Sequence, residues 1–172
     1  MVFDKEFYRK EFERLFQEKE EYKFFIKKSS ALFKINKFIK KSIDSFELAN
    51  YIRNSKQSAK DYWTITICYY SMLYMAKAAI LTKGYETDDH YATQIALGCL
   101  LVPDEIEKED LELLEQAHKI FEDDYLEYFE DARKESSVSR YSATKVYTER
   151  RVKEIFENAR KLISKLRMIL EK

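Results

Sequence analysis

The chain has 172 residues, of which 36% are charged and 45% hydrophobic, with two glycines and one proline. A chain of this length can bury roughly 70% of its unfolded surface in one core without disulfides, and turn-forming residues this scarce exclude a fold of many short strands. The 31 basic and 31 acidic side chains cancel but are segregated. Residues 1–60 carry fifteen basic and nine acidic groups, residues 104–131 two and thirteen, and residues 132–153 seven and two. These observations predict an all-α fold, an antiparallel bundle of about five long helices plus a short one.

The first helix is expected from Asp4, a candidate N-cap, to Lys28, with Tyr8, Phe12, Leu15, Phe16, Tyr22 and Ile26 on one stripe. The second runs from Ser30 to Ser55, with Leu32, Ile35, Ile39, Ile43 and Phe46 at the same spacing. The third begins at Ser58-Ala59-Lys60-Asp61, a capping-box-like start, and ends at Lys83 before Gly84, a natural C-terminal glycine. From Tyr62 to Leu81 its only charge is Lys77. Length alone would let such a helix cross a membrane, since about 20 residues span about 30 Å. Thr64, Thr66, Tyr69, Tyr70, Ser71, Tyr74 and Lys77 are too many polar groups for a lone span, so a buried central helix is the reading, with no membrane contact.

A short apolar helix is expected over Tyr91 to Val102, with Asp89 as its cap and Pro103 as its stop. The fourth long helix then sets Leu111, Leu114, His118, Phe121, Tyr125, Tyr128 and Ala132 at alternating steps of three and four. A hydroxyl-rich break covers residues 136–144. The last helix, from about Lys145 to Glu171, buries Val152, Ile155, Phe156, Ala159, Leu162, Ile163, Leu166 and Ile169. The N-terminus, "MVFDKEFYRK", has no apolar signal region, and Cys68 and Cys99 have no metal or redox spacing, so a cytoplasmic protein with free, buried thiols is expected.

Metal and nucleophile chemistry find little support. Glu115-Gln116-Ala117-His118 is an ExxH, but a di-iron bundle needs two such elements and two further glutamates, and only one other histidine, His90, exists. No cofactor is implied. His118 reads as a hydrogen-bonded histidine within an apolar stripe. Neither histidine has a nucleophile context, and no glycine-rich loop could cradle a phosphate. The break is the remaining candidate: Arg133, Lys134, Arg140, Lys145, Arg150 and Arg151 combine phosphate-neutralising charge with Tyr141 and Tyr147, rings able to stack on bases. The dipole of the fourth helix would also attract basic residues to its C-terminal end.

The run Tyr69-Tyr70-Ser71-Met72-Leu73-Tyr74-Met75-Ala76-Lys77-Ala78, then Lys83-Gly84-Tyr85 and Asp89-His90, resembles the central helix and following turn of HEPN-domain proteins of prokaryotic toxin–antitoxin and RNA-processing systems. A helix ending near Ala132-Arg133, an Arg- and Tyr-containing break and a closing amphipathic helix fit the same family. The resemblance covers roughly residues 30–170, leaving residues 1–28 as an added amphipathic helix before a 29–172 bundle, all in one compact domain. It implies a homodimer in which an Arg, four to six residues and a His at the break perform metal-independent RNA cleavage. The matching Arg is Arg133 or Arg140. The histidine slot then holds Val138, Ser139 or Arg140, or else Lys145, Val146 or Tyr147.

That departure matters, because histidine titrates near neutrality and can both take and give a proton at pH 7, whereas tyrosine and arginine titrate far above it. The expectation is therefore binding of RNA, a nucleotide or a nucleotidyltransferase partner through Arg133, Arg140, Tyr141, Lys145, Tyr147 and Arg150, with weak or no nuclease activity. By resemblance to members that pair with nucleotidyltransferases, Tyr141 is the first candidate for modification and Tyr147 the second. The alternatives are an active metal-independent endoribonuclease using Arg133, Arg140 and a tyrosine or serine, and a non-catalytic interaction bundle whose acidic segment docks a basic partner.

Overall fold

The computed structural model describes residues 3–20, 23–57, 59–133 and 141–171, and within these the side chains of all except residues 19, 20, 23, 124–133 and 141–148. Six helices are found among the described residues: α1 (Lys5–Gln17), α2 (Phe33–Arg53), α3 (Lys60–Thr82), α4 (His90–Leu101), α5 (Lys108–Arg133) and α6 (Tyr141–Leu170). Two small antiparallel pairings accompany them. β1 (Lys19–Glu20) pairs with β2 (Lys23–Phe24), and β3 (Ile26–Lys28) with β4 (Tyr85–Thr87). The architecture is the expected all-α bundle.

Helix α3 is its axis. Ile65, Cys68, Met72, Met75, Ala76, Ala79 and Ile80 are fully buried, and the helix packs against α2, α4, α5 and α6. Each large apolar side chain so buried contributes about 1.5–3 kcal/mol. By length and hydropathy α3 alone among the described residues could cross a membrane, yet 72% of that stretch is buried inside the bundle. Small residues let α2 approach closely: Ala49 and Ser42 are fully buried, and the Ser42 hydroxyl donates to the Ser71 carbonyl oxygen at 2.7 Å. On the other side, Phe46 of α2 stacks on Phe156 of α6, centroids 4.8 Å apart, under the Arg53 guanidinium. Val152, Ile155, Phe156, Ala159, Leu162, Ile163 and Leu166 form the buried face of α6.

Several boundaries differ from expectation. Asp4 does cap α1, accepting from the Phe7 amide at 2.9 Å, but the helix stops at Gln17 rather than Lys28. Glu18 is extended, and Ile26, placed on the helical stripe, is buried in β3 opposite Thr87. Ile26 comes four positions after Tyr22 in the sequence, and an interval of four fits a strand's period of two as well as a helix's. Gly84, at φ +80°, makes the turn from α3 into β4, a left-handed conformation that glycine adopts without a Cβ penalty.

Leu32, assigned to the buried stripe of α2, is instead its N-cap residue and 65% exposed. The N-cap of α3 is Ala59, with no side-chain bond; backbone bonds from Lys60 and Trp63 to Gln57 and Ala59 hold that turn, and Ser58 lies outside the described residues. Asp89 caps α4 as expected, accepting from the Ala92 amide at 2.8 Å. Helix α6 starts at Tyr141, four residues before the expected Lys145, so Tyr141 belongs to the helix and not to the break.

Candidate functional site

Two places in the fold stand out: the α5–α6 junction, which the charge pattern singles out, and a cluster of rings at the centre of the bundle.

Helices α5 and α6 run antiparallel, fixed by three contacts. Lys165 lies 3.7 Å from Asp110, Asn158 donates to Gln116 at 3.4 Å, and the Arg151 guanidinium lies 4.0 Å from Asp123. Residue numbers at these contacts sum to 274 or 275, so the same register brings the end of α5 at Arg133 beside the start of α6 at Tyr141. Lys145 and Tyr147 follow in the first two turns of α6; their side chains, and those of Arg133 and Tyr141, are outside the described set, and Arg140 lies outside the described residues. Arg150 is exposed, nine residues or about 14 Å of helix from Tyr141. Arg151, only 8% exposed, turns inward to Asp123. The junction therefore gathers Arg133 and Tyr141, with Lys145 and Tyr147 close behind, and sets Arg150 further along the same helix.

The second place is one that the sequence did not single out. Tyr69 of α3, His90 at the start of α4, and His118 and Phe121 of α5 meet in one cluster. The Tyr69 ring lies 5.3 Å from His90, 5.4 Å from His118 and 4.9 Å from Phe121, centroid to centroid. The two histidines, the only ones in the chain, stack at 5.3 Å and 21°. Tyr70 closes the edge against His90 and Phe121. The Tyr69 hydroxyl oxygen is 2.5 Å from His90 Nδ1, and His118 Nε2 is 3.4 Å from the Glu122 carboxylate.

Burial decides the protonation states. It pushes the Tyr69 phenol far above its ordinary range, and it lowers the His90 imidazole, helped by His118 and Lys77. A protonated phenol beside a neutral imidazole donates to Nδ1, which leaves the His90 proton on Nε2. Lys77, itself lowered by burial, donates to the Asp88 carbonyl oxygen at 2.9 Å. The neighbouring Cys68 thiol is pushed up to about 12 by burial, so it supplies no thiolate at neutral pH. Glu115 of the ExxH accepts instead from the Tyr8 hydroxyl at 3.0 Å, and no metal-binding group of three or more His, Cys, Asp or Glu occurs among the described residues. The cluster is thus a hydrogen-bonding and stacking centre with a neutral histidine at its heart.

His118 was legible as a core position within an apolar stripe, and His90 as the residue after a helix cap. Their meeting is tertiary, between elements 28 residues apart in the chain, and no spacing rule reports it.

The family model described as HEPN domain matches residues 35–169. Neither a curated protein nor a solved structure matches the chain.

Proposed function

The chain belongs to the HEPN-domain family, and from that premise we propose that it binds RNA or a nucleotide at the α5–α6 junction, as a toxin–antitoxin-type protein with weak or no nuclease activity. The observation that carries this reading is the antiparallel register of α5 and α6, which gathers Arg133 and Tyr141 at adjoining helix ends. Guanidinium and ammonium groups there neutralise phosphates, the tyrosines offer rings to bases, and Arg150 stands exposed on the same helix to extend the contact.

Weak chemistry follows from distance. The histidine slots after Arg133 and Arg140 hold no histidine. His118 lies fifteen residues before the end of α5, about 22 Å of helix, too far for its imidazole to take a proton at the junction of the same chain. A homodimer and a nucleotidyltransferase partner acting on Tyr141, or failing that Tyr147, belong to the same reading.

The test is incubation of the protein with labelled single-stranded RNA, with and without chelator, beside an Arg133→Ala/Arg140→Ala variant. Binding that the variant weakens, without cleavage, is the expected result. Chelator-resistant cleavage lost in the variant would instead establish a ribonuclease that works without the usual histidine. Light scattering checks the dimer, and a monomer would remove the homodimer from this reading.

A further inference from the structure

Between Glu21 and Asp44 the chain holds seven lysines and no carboxylate. The fold places Lys27 and Lys28 on β3 and Lys34, Lys37, Lys40 and Lys41 on the first half of α2. Glu86 of β4 takes two of the lysines, Lys34 at 2.5 Å and Lys27 at 3.8 Å, and Asp44 takes Lys40 at 2.7 Å. Lys28, Lys37 and Lys41 have no carboxylate partner among the described residues. Two of them lie over rings instead: Lys37 Nζ is 5.8 Å from the centre of Phe33, and Lys41 Nζ is 5.3 Å from the centre of Tyr74.

The rings continue across the helices. Phe33 is 66% exposed at the start of α2. Phe38 stacks on Tyr74 of α3 at 6.1 Å, Tyr74 contacts Tyr70 at 6.3 Å, and Tyr70 meets the edge of His90 at 6.1 Å. Phe38, Tyr74 and Tyr70 are all half-buried. Cationic heads and ring faces thus alternate over a surface carried by α2 and α3, away from the α5–α6 junction.

We infer that this lysine-and-ring face of α2 and α3 is a second contact surface for single-stranded RNA, in which Lys37 and Lys41 neutralise phosphates and Phe33 stacks on an unpaired base. Single strands fit because exposed rings can stack only on bases that are not enclosed in a duplex. The cationic heads fit because Lys37 and Lys41, one helical turn apart, are held over rings rather than by carboxylates, so phosphate can engage them without displacing an acidic partner. An anionic lipid surface is the competing ligand for lysines beside exposed apolar groups. The exposed apolar tip here is only Leu32 and Phe33, a small area for insertion, while the rings run on across α3. The inference needs the protein to bind RNA but places the contact on residues that the α5–α6 reading does not use.

The experiment is fluorescence anisotropy of the full chain with labelled oligouridylate, a duplex RNA of equal length, and vesicles containing phosphatidylserine. It compares Lys37→Gln/Lys41→Gln, Phe33→Ala and, as the junction's reporter, Arg150→Gln, with circular dichroism to confirm that each is folded. The single strand is expected to bind more tightly than the duplex. The double lysine variant should weaken it about tenfold and flatten the salt dependence by about 1.4 in log–log slope, from roughly 0.7 per phosphate contact. Phe33→Ala should weaken it about tenfold with the salt slope unchanged. If only Arg150→Gln weakens binding, the α2–α3 inference falls and the junction stands. If only the α2–α3 variants do, Arg150 has no part in RNA binding and the inference holds. Equal binding of the duplex, or binding of vesicles without RNA, overturns the inference, and absence of RNA binding overturns both the inference and the RNA part of the junction reading.

Discussion

The hydroxyl oxygen of Tyr69 lies 2.5 Å from Nδ1 of His90, joining the central helix to the start of α4 at a point where His118 lies against both rings and Phe121 stacks on Tyr69. Removing the hydroxyl leaves a partly buried imidazole nitrogen without its donor. Tyr69→Phe keeps the ring stacking and deletes only that bond, so it isolates the hydrogen bond from the packing. The expected loss is about 1–2 kcal/mol of unfolding free energy at pH 7, read by urea denaturation. An unchanged midpoint would mean that the bond contributes nothing net.

The same histidine makes stability depend on pH in a defined direction. Burial lowers the folded His90 imidazole below its ordinary value of 6.5, with His118 and Lys77 acting the same way and Asp89 and Glu122 opposing. The unfolded chain therefore binds a proton more readily than the folded chain as the pH falls through 6.5, and stability is full above that value and declines below it. Glu86 also contributes: although burial works against it, the bond and charge of Lys34 and the charge of Lys27 hold it below 4.5, so its loss comes only in more acid solution. A fall in melting temperature between about pH 6.5 and 5, abolished in His90→Gln, is expected from these windows. A flat profile in the wild type over that interval would contradict it.

Much of the bundle was legible because helical periodicity is local. The stripe of α6 and the all-round burial of α3 follow from spacing and composition, and Asp4 and Asp89 announced their helices by capping chemistry. What was not legible depended on partners distant in the chain. Ile26 fits two periods by its spacing from Tyr22, and only the pairing of β3 with β4, about sixty residues later, decides for strand. Leu32 fits the stripe of α2 by spacing yet stands at a helix end, 65% exposed. Charge counting drew attention to residues 132–153, while the pairing of Lys27 and Lys34 with Glu86, and so the residual charge on α2, became visible only in three dimensions.

The N-terminal helix is docked through a glycine. A Cβ at Gly98 of α4 would sit 2.4 and 2.5 Å from Tyr8 Cδ1 and Cε1, with the Tyr8 ring held by its bond to Glu115 and its stacking on Phe3. Alanine would gain about 1 kcal/mol of helix propensity at a helix interior, but contacts this short force the ring out. Gly98→Ala is expected to lower the melting temperature. In a double-mutant cycle, truncating Tyr8 to alanine should remove the penalty and leave the propensity gain. Additive effects of the two substitutions would show that ring and glycine do not meet.

One buried group in the central helix works against stability. The Thr66 hydroxyl oxygen is inaccessible to solvent and has no hydrogen-bond partner among the described residues, whereas the hydroxyls of Thr64, Ser71 and Thr82 on the same helix all donate to carbonyl oxygens of the preceding turn. A hydroxyl desolvated without a partner costs about 1–3 kcal/mol, and valine has the same branched shape without it. Valine and threonine have similar helix propensity, so that contribution nearly cancels. Thr66→Val is therefore expected to raise the unfolding free energy by about 1 kcal/mol, a reversal of the usual sign for a substitution in a core. Destabilisation in urea titration would mean that the hydroxyl is bonded in solution, to water or to a group that it reaches by rotation, and that its burial is not a cost.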